Sequence, residues 1–372
     1  MRGEKHSSPD FRLLLTGGGT GGHLFPAIAT AEHVAATMPR SVVSFIGTRR
    51  KLDREALEHF GFTVKTIHSY GLKGKNLMEL VKALLILPVS FVEAGYQIIK
   101  FNPDVVLGVG GYVTGPVVFV ARLMGKPTAI HEQNSIPGLA NRKLGRFVNR
   151  VCLSLPQSQG FFPAEKTVLT GNPVRKKIID CRAVRQPHSD KPTLLVLGGS
   201  QGAHAINQLM VEAVRSRAAD FSKLRLIHQT GRDDEQMVAE AYREAGMDHL
   251  VSAFFNDMAG IYTQADLIVS RAGATTLAEI GVVGKPAILI PYPFAADRHQ
   301  EKNASWYVES GAAVGLLQDG LTAARLTDEI FSIIADPARI EEMSAEMAKL
   351  GIPDAAARIV DICLKLAQSR MS

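Results

Sequence analysis

The chain has 372 residues, 46% of them hydrophobic and 21% charged, with a formal net charge of +6. That length exceeds one ordinary core and predicts two domains, and the composition excludes a low-complexity or disordered chain. Its three cysteines, Cys152, Cys181 and Cys363, form no CxxC or CxxH pair, which excludes a disulfide framework and a sequence-readable zinc site and fits a reducing compartment.

The chain opens on charged text, MRGEKHSSPDFR, and the apolar run at 11–16 is too short for a signal peptide, so the protein is expected inside the cell. From there, short apolar runs alternate with amphipathic stretches. FRLLLT, SVVSFIG, FTVKTI, DVVLGVG, PTAIH and RVCLSL read as buried strands, with helices expected at 25–38, 53–59, 77–100, 116–124 and 139–147. The stretch at 80–99 is the most apolar. Lys82, Pro88 and Glu93 interrupt it, so it falls short of the ~20 clean apolar residues of a membrane span and reads as a buried helix pair.

The pattern lapses into polar text at 171–192 and then resumes. TLLVLG, LRLIHQ, LVSAF, LIVS, AILIP and AVGLL are the strands of the second half, with helices near 203–217, 234–245, 276–283 and 300–310, and a last helix at 355–369. Such alternation gives parallel sheets covered on both faces. The expected fold is therefore α/β, with two doubly wound, Rossmann-like domains facing across a cleft. Residues 1–172 form the first and 173–354 the second, and the segment 355–372 is free to pack back on the first.

Charge is unevenly shared. Residues 1–172 carry 20 basic against 11 acidic side chains, and residues 173–372 carry 22 against 25. A basic first half fits an anionic partner, or simply a solvated basic face. No zinc finger, RRM-type aromatic motif or basic helix favours nucleic acid. Lys73, Lys75 and Lys82 flank the apolar stretch, and Arg142, Lys143, Arg146 and Arg150 lie on a later helix. Apolar side chains with basic neighbours describe a surface that rests on anionic lipid.

Each half opens with a glycine-rich strand-to-helix turn, LLLTGGGTGGH and LLVLGGSQGAH. Gly17, Gly19 and Gly22 fit G-x-G-x-x-G, but the second strand ends in Gly47-Thr48 rather than the acid of a dinucleotide site. Gly17 to Gly22 also has P-loop spacing, yet His23-Leu24 replaces Lys-Ser/Thr. Gly198-x-Ser200-x-Gly202 matches a hydrolase nucleophile elbow, with Asp297 or His299 available as partners, but that reading leaves the first glycine loop without a role. What survives is shared physics, a backbone able to approach an anion at a helix N-terminus. A third loop, SRAGATTLAE at 270–279, leaves room for a diphosphate and places Glu279 about one turn into a helix. There it either binds vicinal hydroxyls, as a ribose has, or merely stabilises the helix dipole.

In combination, GGGTGGH at 17–23, GGYVTGP at 110–116, HEQN at 131–134, GNPVR at 171–175, GGSQGA at 198–203 and the segments 271–279 and 297–303 make the chain similar to the GT-B glycosyltransferases, and closely to the MurG family. The resemblance runs from about Arg12 to the last helix. It implies inverting transfer of N-acetylglucosamine from UDP-N-acetylglucosamine to undecaprenyl-diphospho-N-acetylmuramyl-pentapeptide, at the cytoplasmic face of the inner membrane, with no cofactor and no nucleic-acid partner. It sets no oligomeric state.

By matching motif positions, the resemblance places Ser200 and the Gly198–Gly202 backbone at the diphosphate with Arg175. It places Phe255 at the uracil through its backbone, and Ala274, Thr275, Thr276, Leu277 and Ala278 along the sugar and phosphates. Glu279 would hold the ribose and Gln300 the N-acetylglucosamine. Thr20, Gly21, Gly22 and Asn134 would reach the donor from the first domain, and Gly18, Gly19, Tyr112 and Glu132 would serve the acceptor. The chain has no Asp-x-Asp metal motif, so helix N-termini and Arg175 are expected to carry the leaving charge. His23 is the candidate base, its ordinary pKa being near neutral; the alternative is that it orients a phosphate or a loop carbonyl. Two other readings stay open, a nucleotide-sugar epimerase of the same architecture and a non-catalytic membrane-associated scaffold.

Overall fold

The computed structural model describes residues 10–18, 21–49, 61–69, 77–183, 191–199 and 202–371. The helix expected at 53–59 lies outside them. The chain forms two compact units, Met1–Arg175 with Asp354–Ser372, and Lys176–Pro353.

The first unit runs β1 (Arg12–Thr16), α1 (Gly21–Thr37), β2 (Val42–Gly47), β3 (Val64–Thr66), α2 (Leu77–Phe101), β4 (Val105–Gly108), α3 (Thr114–Leu123), β5 (Thr128–Glu132), α4 (Leu139–Leu144), β6 (Arg150–Leu153) and β7 (Thr167–Leu169). Its seven strands are parallel, in the order β3-β2-β1-β4-β5-β6-β7. Successive strand residues point to opposite faces, and β1 shows the consequence. Leu13 and Leu15 enter a cluster with Leu24, Ile28 and Val34 of α1. Leu14 enters a second cluster with Ala94 and Ile98 of α2 and Val117 and Val118 of α3. Both faces of β1 are therefore dry, which is why it reads as an unbroken apolar run.

The helix expected at 77–100 is present as one continuous helix with Pro88 inside it, not as the pair of the alternative reading. Pro88 sits on an exposed position. The seventh strand, β7, was not expected from sequence. It has only three residues, and Val168 and Leu169 are exposed, so no buried run marks it.

The second unit runs α5 (Lys176–Asp180), β8 (Thr193–Leu197), α6 (His204–Ser216), α7 (Ala218–Phe221), β9 (Arg225–Gln229), α8 (Glu235–Glu244), β10 (Asp248–Ser252), α9 (Met258–Gln264), β11 (Leu267–Ser270), α10 (Ala274–Val283), β12 (Ala287–Leu289), α11 (His299–Glu309), β13 (Ala313–Gly315), α12 (Ala323–Ile334) and α13 (Pro337–Leu350). Its six strands are parallel, in the order β10-β9-β8-β11-β12-β13. Leu194 and Val196 of β8 pack with Ile206, Met210 and Val214 of α6 and with Leu326 and Ile330 of α12.

The last helix, α14 (Ala355–Met371), returns to the first unit. Ile359, Val360 and Cys363 are buried in the cluster that holds Leu13, Leu15 and Leu107. Burying side chains of this size contributes roughly 1.5–3 kcal/mol each.

In both sheets the strand order reverses beside the first strand of the unit, between β1 and β4 and between β8 and β11. Ligands of open α/β sheets bind at such switch points, outside the carboxyl ends of the strands. The glycine turns follow β1 and β8 there.

Candidate active site

In the first unit, β1 leads through Gly17-Gly18 into α1, and His23 sits in the first turn of that helix. Its ring lies against the loop after β4: a Cβ on Gly110 would fall 2.7 Å from His23 Nδ1. Gly110 also has φ +103°, a conformation side chains rarely adopt, so glycine is required there twice over. His23 Nδ1 is 3.1 Å from Gln133 Oε1. Gln133 Nε2 donates to Val109 O at 2.7 Å and lies 3.1 Å from His131 Nδ1. His131 Nε2 faces the carbonyl of Gly171 at 3.1 Å and the hydroxyl of Ser154 at 2.9 Å. Burial drives the His131 pKa down to about 4, against the help of Gly171, so this ring is neutral near pH 7.

Glu132 and Asn134 follow on the same loop. Glu132 is 1% exposed. Its Oε1 accepts from the Asn134 N–H at 3.0 Å, and its Oε2 accepts from Gly138 N–H at 3.2 Å and Asn141 Nδ2 at 2.9 Å. Burial raises its pKa despite these donors. Glu132 therefore shapes the loop that presents Asn134 rather than offering its own carboxylate to solvent. Tyr112 is half exposed on the loop after β4. Arg175 belongs to this unit, its guanidinium 4.8 Å above the Phe25 ring on α1. Gly18 follows β1 and Gly21 and Gly22 open α1, whereas Gly19 and Thr20 lie outside the described residues.

In the second unit, β8 turns through Gly198-Gly199 and Gly202-Ala203 into α6. Ser200 lies outside the described residues. Gly202 has φ +79°, and a Cβ there would fall 2.2 Å from Thr230 O, so the loop can pass the end of β9 only as glycine. Gln229, the last residue of β9, donates from Nε2 to Gly199 O at 3.2 Å and accepts the Phe255 N–H at 3.0 Å. It thereby ties the glycine loop to the Phe255 segment. Since the Phe255 N–H is committed to Gln229, a backbone contact from Phe255 to a ligand would use its carbonyl. Beneath the same loop, Asn207 Nδ2 donates to Thr230 O at 2.9 Å and Asp234 Oδ2 at 2.7 Å, and Asn207 Oδ1 lies 3.0 Å from His228 Nε2. Burial drives the His228 pKa to about 3.

The loop after β11 enters α10 at Ala274. The residues before α6 and α10 are Ala203 and Gly273, which have no capping side chain, and neither helix has an acid in its first turn. By contrast α9, α12 and α13 are capped by Asp257, Thr322 and Asp336. The first turn of α10 is thus left electropositive, whereas the Asp234 carboxylate stands against the first turn of α6, 2.9 Å from His204 Nδ1 and 2.7 Å from Asn207 Nδ2. Thr275, Thr276 and Ala278 are partly exposed on α10. Leu277 is wholly buried and its N–H closes on Gly273 O at 2.9 Å, so both of its groups are spent inside helix and core. Glu279 is buried and accepts the Tyr262 hydroxyl at 2.9 Å.

Around β12, Arg271 is buried, with Nη1 donating to Ile290 O and Pro291 O at 3.0 and 3.2 Å and Nη2 to Gln318 Oε1 at 2.6 Å. Burial lowers its pKa. Gln300 accepts the Tyr292 N–H at 3.0 Å, and Asn303 Nδ2 donates to Ala272 O at 3.1 Å. The turn between β12 and α11 holds Asp297 at φ +55° and Arg298 at φ +53°. Two consecutive non-glycine residues in the left-handed region store strain, and such strain clusters where a loop is shaped for a ligand.

The motifs singled out from sequence thus gather at the carboxyl edge of each sheet. Gln229 and Tyr262 were not singled out. Gln229 ends its strand as an ordinary polar residue, and only the arrangement of β9 beside β8 gives it a role. Among the described residues, no group of three or more His, Cys, Asp or Glu side chains could hold a metal ion.

Residues 13–153 match the glycosyltransferase family 28 N-terminal domain, and residues 193–359 match the glycosyltransferase family 28 C-terminal domain. A relative from Desulfotalea psychrophila (strain LSv54 / DSM 12343), a UDP-N-acetylglucosamine--N-acetylmuramyl-(pentapeptide) pyrophosphoryl-undecaprenol N-acetylglucosamine transferase, is 54% identical over 356 residues, covering 95% of this chain and 96% of its own. The crystal structure of Acinetobacter baumannii MurG superposes with a TM-score of 0.75 at 29% identity, covering 95% of this chain and 99% of that one. A UDP-GlcNAc 2-epimerase from Neisseria meningitidis, bound to UDP-GlcNAc, superposes with a TM-score of 0.67 over 95% of this chain and 100% of that one. At 14% identity it shares the fold alone.

Proposed function

Because the chain belongs to the MurG family of glycosyltransferases, within glycosyltransferase family 28, we propose that it transfers N-acetylglucosamine from UDP-N-acetylglucosamine to undecaprenyl-diphospho-N-acetylmuramyl-pentapeptide, with inversion at the anomeric carbon. The observation that carries this reading is the identity, over nearly the whole chain, to a relative with that activity.

The donor is assigned to the second unit. The Gly198–Gly202 backbone and Ser200 at the start of α6, with Thr275 and Thr276 at the start of α10, meet the diphosphate, where the helix N-termini stabilise the charge that grows as the leaving group departs. Arg175, which belongs to the first unit, is a further candidate for the diphosphate. Glu279 holds the ribose, with Tyr262 fixing its carboxylate, and Gln300 meets the sugar. Phe255 faces the uracil through its carbonyl. On the first unit, Thr20, Gly21, Gly22 and Asn134 serve the transferred sugar and phosphates, and Gly18, Gly19 and Tyr112 serve the acceptor.

In the transfer step the acceptor hydroxyl oxygen bonds to the anomeric carbon on the face opposite the diphosphate. Its proton passes to His23, and the bond from the anomeric carbon to the UDP oxygen breaks with its electron pair. A base so placed supplies roughly 10²–10⁴-fold in rate.

Peripheral attachment to the cytoplasmic face of the membrane is assigned to α2. Leu85, Val89, Val92, Tyr96 and Ile99 are exposed along it at alternating steps of four and three, which is one continuous helical stripe. Leu123 and Phe147 are exposed on neighbouring elements of the unit, with Arg122, Arg142, Lys143, Arg146 and Arg150 in the same segments. An apolar stripe with basic neighbours suits an anionic bilayer surface, where a polyprenyl acceptor resides. Lys73 and Lys75 lie outside the described residues. No helix of the described residues is long and apolar enough to cross a membrane.

The test is a transfer assay with radiolabelled UDP-N-acetylglucosamine, the lipid-linked muramyl-pentapeptide and EDTA throughout. Label in the lipid product supports donor, acceptor and metal independence together. Donor bound without transfer would return the epimerase and scaffold readings.

A further inference from the structure

We propose that Gln133 is the positioning residue that sets the proton on His23 Nδ1 and so reserves Nε2, the opposite ring nitrogen, as the basic atom. The proposal rests on the reading of His23 as the base.

A neutral imidazole carries one proton, and which nitrogen holds it is decided by the partners of the ring. The partner of His23 Nδ1 is the Gln133 amide, 3.1 Å away. An amide can turn either its oxygen or its nitrogen to a neighbour, so its orientation must be fixed by something else. Two independent groups fix it here. Val109 O, 2.7 Å from the amide nitrogen, is a carbonyl and can only accept. His131 Nδ1, 3.1 Å from the same nitrogen, must accept as well. That ring is neutral because it is buried, and its single proton sits on Nε2, which faces the obligate acceptor Gly171 O at 3.1 Å.

Both hydrogens of the Gln133 amide are thus drawn away from His23. Its oxygen is left facing His23 Nδ1, so Nδ1 must donate. The lone pair of neutral His23 then lies on Nε2.

The side chain at 133 is narrowly specified. Glutamate would set a second acceptor against Val109 O and the His131 lone pair, and asparagine is one methylene too short to span the same groups. Gly110 adds the second constraint, since the His23 ring occupies the space where a Cβ at 110 would stand. The amide fixes the tautomer, and glycine at 110 leaves the ring the room it occupies.

The experiment is nitrogen NMR of protein carrying 15N-labelled histidine, with the His23 signals assigned by their loss in His23→Gln. In the unmodified protein the neutral His23 ring is expected to show a protonated Nδ1 and an unprotonated Nε2. In Gln133→Met the proton should move to Nε2, with kcat for transfer falling about 10²-fold and KM for the donor unchanged. A proton on Nε2 in the unmodified protein would overturn the proposal, as would a Gln133→Met variant that loses kcat while its tautomer stays put. Should Gln133→Met fail to fold, the unmodified spectrum decides alone. If His23 proves not to be the base, its variant keeps full activity while the tautomer result stands, so the two ideas fail separately.

Discussion

Tyr262 donates its hydroxyl hydrogen to Glu279 Oε2 at 2.9 Å, across the gap between α9 and α10. Both side chains are buried, so the bond holds one oxygen of that carboxylate away from solvent. With Glu279 holding the ribose, Tyr262→Phe should raise KM for the donor about fivefold, equivalent to the ~1 kcal/mol of one hydrogen bond, and leave kcat nearly unchanged. Steady-state kinetics with varied donor check this, and an unchanged KM would detach Glu279 from donor binding.

Alanine at two glycines of the same loop should separate strain from collision. Gly199 has φ +82° with nothing within 4 Å of an added Cβ, whereas Gly202 has φ +79° and an added Cβ 2.2 Å from Thr230 O. Gly199→Ala should cost roughly 1–2 kcal/mol of stability from the left-handed backbone alone. Gly202→Ala should cost clearly more, because two backbones must move apart. Urea denaturation measures both, and equal losses would mean that the loop relaxes freely.

Acid should weaken each unit through one buried histidine. Folding holds His131 near pKa 4 and His228 near 3, both below the ordinary 6.5 of an imidazole in water. The unfolded chain therefore binds more protons below about pH 6.5. Their stabilising contribution is complete above that pH and is lost as pH falls toward 4, by about 1.4 kcal/mol per pH unit for each ring. Glu132, raised by burial from 4.5, acts in the opposite direction just above that value. Unfolding free energies at pH 7, 6 and 5 should show the decline, and His228→Asn should flatten it. A stability that stays level from pH 7 to 5 contradicts the assignment of both rings as buried and neutral.

The α2 stripe can be tested on vesicles. Val92 and Ile99 are 72% and 68% exposed, so a change there disturbs little of the core. Val92→Glu and Ile99→Glu should each weaken sedimentation with anionic phospholipid vesicles roughly tenfold, through the lost apolar area, and high salt should weaken it further. Soluble-acceptor activity should persist. Undiminished binding by the double variant would place the membrane contact elsewhere on the molecule.

Much of this architecture is legible because buried parallel strands leave unbroken apolar runs, as LLL in β1 and TLLVL in β8 do. The misses have particular causes. β7 is short and half exposed, so it carries no such run. α12 and α13 carry N-terminal signals in Thr322 and the Asp336-Pro337 pair, but they follow the last strand, so no further apolar run brackets them. At the site, glycine turns and Glu279 stand out by residue type and spacing. Gln133 does not, because its partners Val109 and His23 are 24 and 110 residues away. Only the neighbouring of β1, β4 and β5 gives that amide its meaning.

The return of α14 to the first unit has a consequence for how the chain is made. Leu13, Leu15 and Leu107 form one face of a sheet whose cover includes Ile359, Val360 and Cys363. A ribosome releases the sheet long before that cover. During synthesis the second unit can close completely while the first, though made earlier, still shows an apolar face to the cytosol. The opening half of the chain is thus the last to be sealed, and chaperone demand should fall on it rather than on the half that emerges later.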